Sequence, residues 1–341
     1  MSDLAARLKR RPPPNLDSGG ANPPPPKRRS TWADLEGILG PIEWHWQGWL
    51  APGFFHLLAG QTGAGKSALA LRVAACYLKA WPWPSGAAYA GQASKVLWLE
   101  CESAQALNLQ RAKDWGLPLE NLICPLKNPL DTLDWRRHQK AILEAASLDG
   151  VGLIVLDSLS GANGGRLDEN SQTMLQLGSW LAKLAQQTGK PVLATHHTRK
   201  RGLRDTGAPS LDRVRGSGTI PQLSRVVWML DCPKPSDPQS LRLSVVKSNL
   251  AKLPKPIGMS FDPDGLPMFG DAPQQQEAKT ETEQAQDWLL GFLSNGPAKA
   301  SHVLLAAEVD DISERTLKRA KTALGVQSSK QGAVWQWSLP Q

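Results

Sequence analysis

From about residue 40 to residue 270 the chain alternates short apolar runs with stretches whose apolar positions recur every three or four residues. "GFFHLLA" (53–59), "KVLWLE" (95–100), "GLIVLD" (152–157) and "PVLATHH" (191–197) read as strands. "GLIVLD" is too continuous for a half-exposed strand and suits one covered on both faces of a parallel sheet. Between the runs lie helical patterns such as "SALALRVAACYLKA" (67–80). This alternation predicts an α/β fold with a mostly parallel sheet, without internal repeats.

The pattern changes after residue 270. Residues 271–284 are polar, without apolar period, and read as a linker. Beyond them "AQDWLLGFL", "ASHVLLAAEV" and "ERTLKRAKTAL" read as three helices, and "VQSSKQGAVWQWSL" as a hairpin turning at 330–332. Ser313 is placed to cap the third helix and Gly325 to stop it. Ile312, Leu317, Ala320 and Leu324 form its apolar stripe, while Arg315, Lys318, Arg319 and Lys321 make it basic. Three helices and a hairpin resemble a winged helix with 314–324 as recognition helix, used on DNA or on protein.

At the other end, residues 1–30 hold seven prolines, seven Lys or Arg and two acids, which cannot build a core. The expected organisation is a disordered basic arm (1–35), a large α/β domain (36–270), the linker (271–284) and a small domain (285–341). A net charge of +8 makes a polyanionic partner plausible. The four cysteines show no CxxC spacing, so neither a disulfide framework nor a zinc site is expected. No stretch approaches the ~20 apolar residues that span a bilayer, and a cytoplasmic protein is the simplest reading.

The densest chemistry is "GQTGAGKS", Gly60 to Ser67, which matches G-x-x-x-x-G-K-[ST] between a strand and a helix. Gly60, Gln61, Thr62, Gly63, Ala64 and Gly65 would turn backbone N–H groups toward phosphate oxygens. Lys66 would reach the β- and γ-phosphates of ATP, and Ser67 would offer its hydroxyl to Mg²⁺. Asp157, at the C-terminal end of "GLIVLD", is the expected second metal-site group, since open α/β sheets bind ligands there. A hydrolase also needs a group that orients water. Glu100 and Glu102 lie two residues apart at the end of "KVLWLECES" (95–103), and spacing does not choose between them.

Taken in order, these segments resemble RecA-fold AAA-type P-loop ATPases of the RepA-like hexameric helicase type, relatives of DnaB and KaiC. The resemblance covers roughly residues 40–255. "GQTGAGKS" is similar to the first motif, "VLWLECES" to the strand with the catalytic glutamate, and "LIVLDSLSG" to Walker B. "DEN" (168–170), "VLATHHTRK" and "RVRGSGTI" follow in the family's order. The resemblance implies Glu102 as catalytic base and Glu100 as its support, although Ser103 stands where the family often has aspartate. It implies His196 as first choice for a γ-phosphate sensor and His197 as second. It places the cationic run Arg199, Lys200, Arg201 and Arg204 where DNA-facing loops lie. It makes Arg215 the candidate arginine finger acting on a neighbouring subunit, with Arg213 as runner-up. Lys247 and Asn249 resemble residues near a neighbour's nucleotide. Trp44 or Trp46 would stack on adenine or simply pack. The expected function is that of an ATP-driven, ring-forming DNA helicase or translocase, a homo-hexamer serving a plasmid, phage or other mobile element. The rival is a nucleotide-switched DNA-binding ATPase that unwinds nothing.

Overall fold

The computed structural model describes residues 31–36, 41–162, 172–199, 209–214, 219–234, 237–274, 280–332 and 334–340. The chain falls into two units, residues 1–41 and 42–341. In the first, a helical turn α1 (Trp32–Glu36) is opened by Thr31, whose hydroxyl donates to Asp34 at 2.8 Å. All of this turn but Glu36 falls inside the stretch 1–35 expected to be an arm; residues 1–30 lie outside the described part.

The second unit starts with β1 (Phe55–Gly60), α2 (Lys66–Lys79), β2 (Lys95–Glu100), α3 (Gln105–Asp114), β3 (Leu122–Ile123) and α4 (Gln139–Ala146). It continues through β4 (Val151–Asp157), α5 (Leu159–Ala162), α6 (Gln172–Thr188), β5 (Val192–His197), α7 (Thr219–Leu223) and β6 (Val226–Asp231). The strands β7 (Leu241–Ser248), β8 (Ile257–Phe261) and β9 (Pro267–Asp271) complete a nine-stranded sheet of order β3-β2-β4-β5-β1-β6-β7-β8-β9. Pairing is parallel from β3 to β6 and antiparallel beyond. The sequence reading expected a mostly parallel sheet, and the sheet is one.

Alternation along each strand sends side chains to two cores. Leu153, Val155 and Leu193 join the core that contains Leu69 and Val73 of α2. Ile154, Leu156, Val192 and Ala194 join the core that contains Leu177 and Leu181 of α6. Every residue of β1 and β4 is buried, because helices cover both faces. That burial places the C-terminal ends of β1, β2, β4 and β5 side by side at one edge of the sheet, where the chemistry gathers.

Residues 280–340 surround a core of their own, built on Leu289, Val303, Leu317 and Trp337. They run α8 (Glu281–Leu293), β10 (Ala298–Lys299), α9 (Ala300–Val309), α10 (Glu314–Ala323), β11 (Gln327–Gln331) and β12 (Val334–Ser338). The three strands form an antiparallel sheet of order β10-β12-β11. Helix α8 takes up the last four residues, 281–284, of the expected linker. A capping box fixes its start: Glu283 N donates to the Thr280 hydroxyl, and the Thr280 N–H donates to the Glu283 carboxylate at 2.6 Å. Ser313 caps α10 by accepting from Thr316 N at 3.2 Å, and Gly325, at φ 65°, follows its end.

Candidate nucleotide site

The loop between β1 and α2 curls because Gly63 (φ 77°) and Gly65 (φ 90°) occupy the left-handed region, which costs other residues energy. Gly65 is doubly constrained: a Cβ there would lie 2.4 Å from Cζ of Phe261 on β8. The loop ends on the N-terminus of the 14-residue α2, whose unpaired N–H groups and dipole favour an anion. Lys66 opens that helix. Its ammonium donates to the carbonyls of Gly60 at 3.1 Å and Gln61 at 2.8 Å, and burial pulls its pKa down to about 8.

Asp157 is buried at the end of β4. Thr195 Oγ1, from the neighbouring β5, donates to its Oδ1 at 2.6 Å, and Ser67 also hydrogen-bonds the carboxylate. Burial pushes this carboxyl upward, against the pull of those two hydroxyls. Among the described residues no cluster of three or more His, Cys, Asp or Glu could hold a metal. The donor set therefore fits a cation completed by phosphate oxygens and water, with Ser67 and Asp157 on the protein side. A cradle of amides, a lysine and a hydroxyl–carboxylate pair suits a magnesium–nucleotide complex.

The two glutamates have different surroundings. Glu100 faces its own turn: Oε1 accepts from Glu102 N at 3.0 Å and Ala104 N at 3.3 Å, and Oε2 accepts from Asn108 Nδ2 at 2.9 Å. Glu102 reaches across the strand ends. His197 Nε2 lies 3.5 Å from its Oε1, and the Ser158 hydroxyl donates to the same oxygen. His197, then Ser158 and Lys66, hold the Glu102 carboxyl down at about 2 against partial burial. It is an anion at neutral pH, held at the edge of the phosphate loop.

The histidines part company by strand alternation. His196 shares the α6 face with Val192 and Ala194; it is fully buried, with Nδ1 3.4 Å from Ser160 Oγ. His197 shares the opposite face with Thr195. Its Nδ1 lies 3.3 Å from both Lys66 Nζ and Thr62 Oγ1. The ring facing the phosphate loop is thus that of His197, the second choice, rather than that of His196.

Other expectations fall elsewhere. Trp46 is buried between Trp49 and Trp83, at centroid distances of 4.6 and 5.6 Å, and donates to Ser85 Oγ. It packs the core and offers no face to an adenine. Lys247 donates to the carbonyls of Pro221 at 2.6 Å and Ser224 at 2.9 Å, so its ammonium closes the end of α7 in its own chain. Arg213 is buried and Arg199 exposed. Arg215, Lys200, Arg201, Arg204 and Asp168–Asn170 lie outside the described residues. The sequence reading missed Ser158, Thr195 and Gly161. A Cβ on Gly161 would lie 2.3 Å from the Cys101 carbonyl, so this glycine lets α5 abut the turn that carries Glu102. "DSLSG" contained two of these three, and only proximity in space gives them a role.

A family model described as the AAA domain matches residues 22–202, more than half of the chain, and includes the phosphate loop, Glu102, Asp157 and both histidines. The chain belongs to the AAA domain family. It is a P-loop ATPase on a mostly parallel α/β core, and such ATPases generally work with ATP and Mg²⁺. No curated protein matches this AAA chain. Among solved structures, a KaiC-like protein from the hyperthermophilic archaeon Pyrococcus horikoshii is similar at 14% identity and a TM-score of 0.48; the match covers 68% of this chain and 100% of that one. Among the described residues no helix is long and apolar enough to cross a membrane.

Proposed function

We propose that this AAA chain is an ATP-driven, ring-forming DNA helicase or translocase of the RepA-like type, serving the replication of a plasmid, phage or other mobile element. The observation that carries the ATPase half is Glu102, an anion within reach of His197, which itself lies 3.3 Å from Lys66. In this reading Lys66, Ser67 and Asp157 hold ATP·Mg²⁺, and Glu102 orients the attacking water. His197 exchanges its contacts with Lys66 and Glu102 for the γ-phosphate. A helix-dipole cradle and a fixed cation would stabilise the charge that develops on the transferring phosphoryl group. Arg215 acts from the neighbouring subunit, which makes hydrolysis depend on a homo-oligomer, a hexamer by resemblance. The order helix, strand, two helices, hairpin in residues 280–340 supports a winged helix, and its basic α10 supports DNA as partner. The N-terminal basic arm and the loop Arg199 to Arg204 would add phosphate contacts.

Strand displacement on a forked DNA duplex with ATP tests the reading. The unmodified chain displaces the strand. Glu102→Gln retains ATP binding and loses about 10²–10⁴-fold in hydrolysis. ATP hydrolysis without displacement would instead leave a nucleotide-switched DNA-binding ATPase.

A further inference from the structure

Charge is segregated along the C-terminal helices and hairpin. Residues 281–314 carry seven acids and one base, Lys299, whereas residues 315–340 carry five bases and no acid. Two of those bases are used internally. Lys318 pairs with Glu314 at 2.7 Å. Lys321 lies 4.3 Å from the centroid of Trp337 and donates to Ser328 Oγ, which ties the last turn of α10 to the base of the hairpin. Arg315, Arg319 and Lys330 remain exposed and have no acid partner among the described residues. Arg315 and Arg319 are four apart, so they share one side of α10.

The hairpin adds a different element. Ser328 pairs with Trp337, and Lys330 with Trp335. Directly opposed residues share a face, and residues two apart along a strand do too. Trp335 and Lys330 therefore lie on the face that Lys321 meets, about 7 Å nearer the turn. Trp337 is buried in the core, but Trp335 is 54% exposed, beyond the cover of the helices. The indole and Lys330 thus lie on the side of α10 that Lys321 reaches, while Arg315 and Arg319 lie about 120–160° around the helix from Lys321, so helix and hairpin together offer cations for phosphates on one side and a flat apolar ring on another.

We propose that α10 and the hairpin together bind DNA at a junction of duplex and single strand, with Arg315 and Arg319 on backbone phosphates of the duplex and Trp335 stacked on the first unpaired base. The inference rests on the DNA reading above and deepens it. Bases inside a duplex have both faces covered by their neighbours, so an indole finds a free π-face only on an unpaired base. The cations read phosphate and carry no preference of their own. The junction preference then belongs to Trp335, and Lys321 is a positioning residue that holds hairpin and helix at a fixed angle. A protein partner would have no need of the one-sided charge.

The test uses the full chain and a forked DNA carrying 2-aminopurine at the first unpaired position, with blunt duplex as control. The unmodified chain quenches the probe and binds the fork more tightly than the duplex. Trp335→Ala loses the quench and about tenfold in fork affinity, which removes the preference over duplex. Trp335→Phe, which keeps an aromatic face, recovers most of both. Arg315→Ala with Arg319→Ala weakens fork and duplex alike and lowers the slope of log affinity against log salt by about 2. Equal quench and affinity in Trp335→Ala, or no change in salt slope on removing both arginines, overturns the proposal. Strand displacement by the unmodified chain is scored in parallel. Its absence removes the helicase reading and leaves the quench readout intact.

Discussion

Gly161 shows how little room the site has. It touches no candidate catalytic atom through a side chain of its own, yet a methyl group there would meet the Cys101 carbonyl at 2.3 Å, a backbone atom that cannot swing aside. Gly161→Ala should push the 101–103 turn away from β4 and displace Glu102. A displacement near 1 Å costs about 10²-fold in rate, while the stability loss stays at about 1–3 kcal/mol. Steady-state ATPase with ATP affinity measured separately checks this, and an unchanged kcat would mean that the turn tolerates the shift. Lys66 provides a second expectation at this scale. Burial lowers its pKa from 10.5 to about 8, so between these values the unfolded chain binds the extra proton. Stability of the nucleotide-free protein should therefore rise from pH 8 to pH 10.5, and the penalty is fully present below pH 8. Lys66→Met should be more stable at pH 7 by about 3 kcal/mol and lack that rise in denaturant titrations. The phosphate loop keeps a charge that the fold alone does not favour.

At the scale of elements, apolar continuity made the strands legible, because β1, β4 and most of β5 are covered on both faces. The same continuity hid which face each residue took. His196 and His197 look equivalent in "ATHH", and only the register of β5 between β1 and β4 decides that His197 meets Lys66. His196→Ala should cost about 2–4 kcal/mol of stability by emptying a buried site, with hydrolysis little changed in the protein that remains folded. His197→Ala should do the reverse, with a thermal midpoint near that of the unmodified chain and slow turnover. If both variants fall in stability alone, His197 has no part in the reaction. Helix α8 was legible in its apolar half but not in its beginning. The run "QQQEAKTETEQ" has the composition of a linker, and the signal inside it was the spacing Thr280-x-x-Glu283. Strand β10, two residues long, carries too little pattern to be read at all.

Across the whole molecule, the alternation of continuous apolar strands with helical patterns let the α/β class and its mostly parallel sheet be read before any contact was known, whereas the strand order came only with the structure. Assembly was read only from the resemblance, which makes Arg215 a candidate finger on a neighbouring subunit. Mixing two inactive variants addresses it. Lys66→Ala lacks a working phosphate loop, and Arg215→Ala lacks the candidate finger. If Arg215 acts on a neighbour, some mixed interfaces pair an intact loop with an intact finger, and ATPase activity should return to a fraction of the unmodified rate. No return at any ratio, with assembly confirmed by sedimentation, would place Arg215 on its own chain's nucleotide or outside the reaction.

The ring of Phe261 over Gly65 has a mechanical side. Phe261 is the last residue of β8, which pairs with β9, and β9 ends at Asp271, the departure point of the chain toward α8. A substituent on Gly65 would have to move either that ring, and with it the end of the β8–β9 hairpin, or the phosphate loop itself. The antiparallel edge of the sheet therefore sets how much room the loop has.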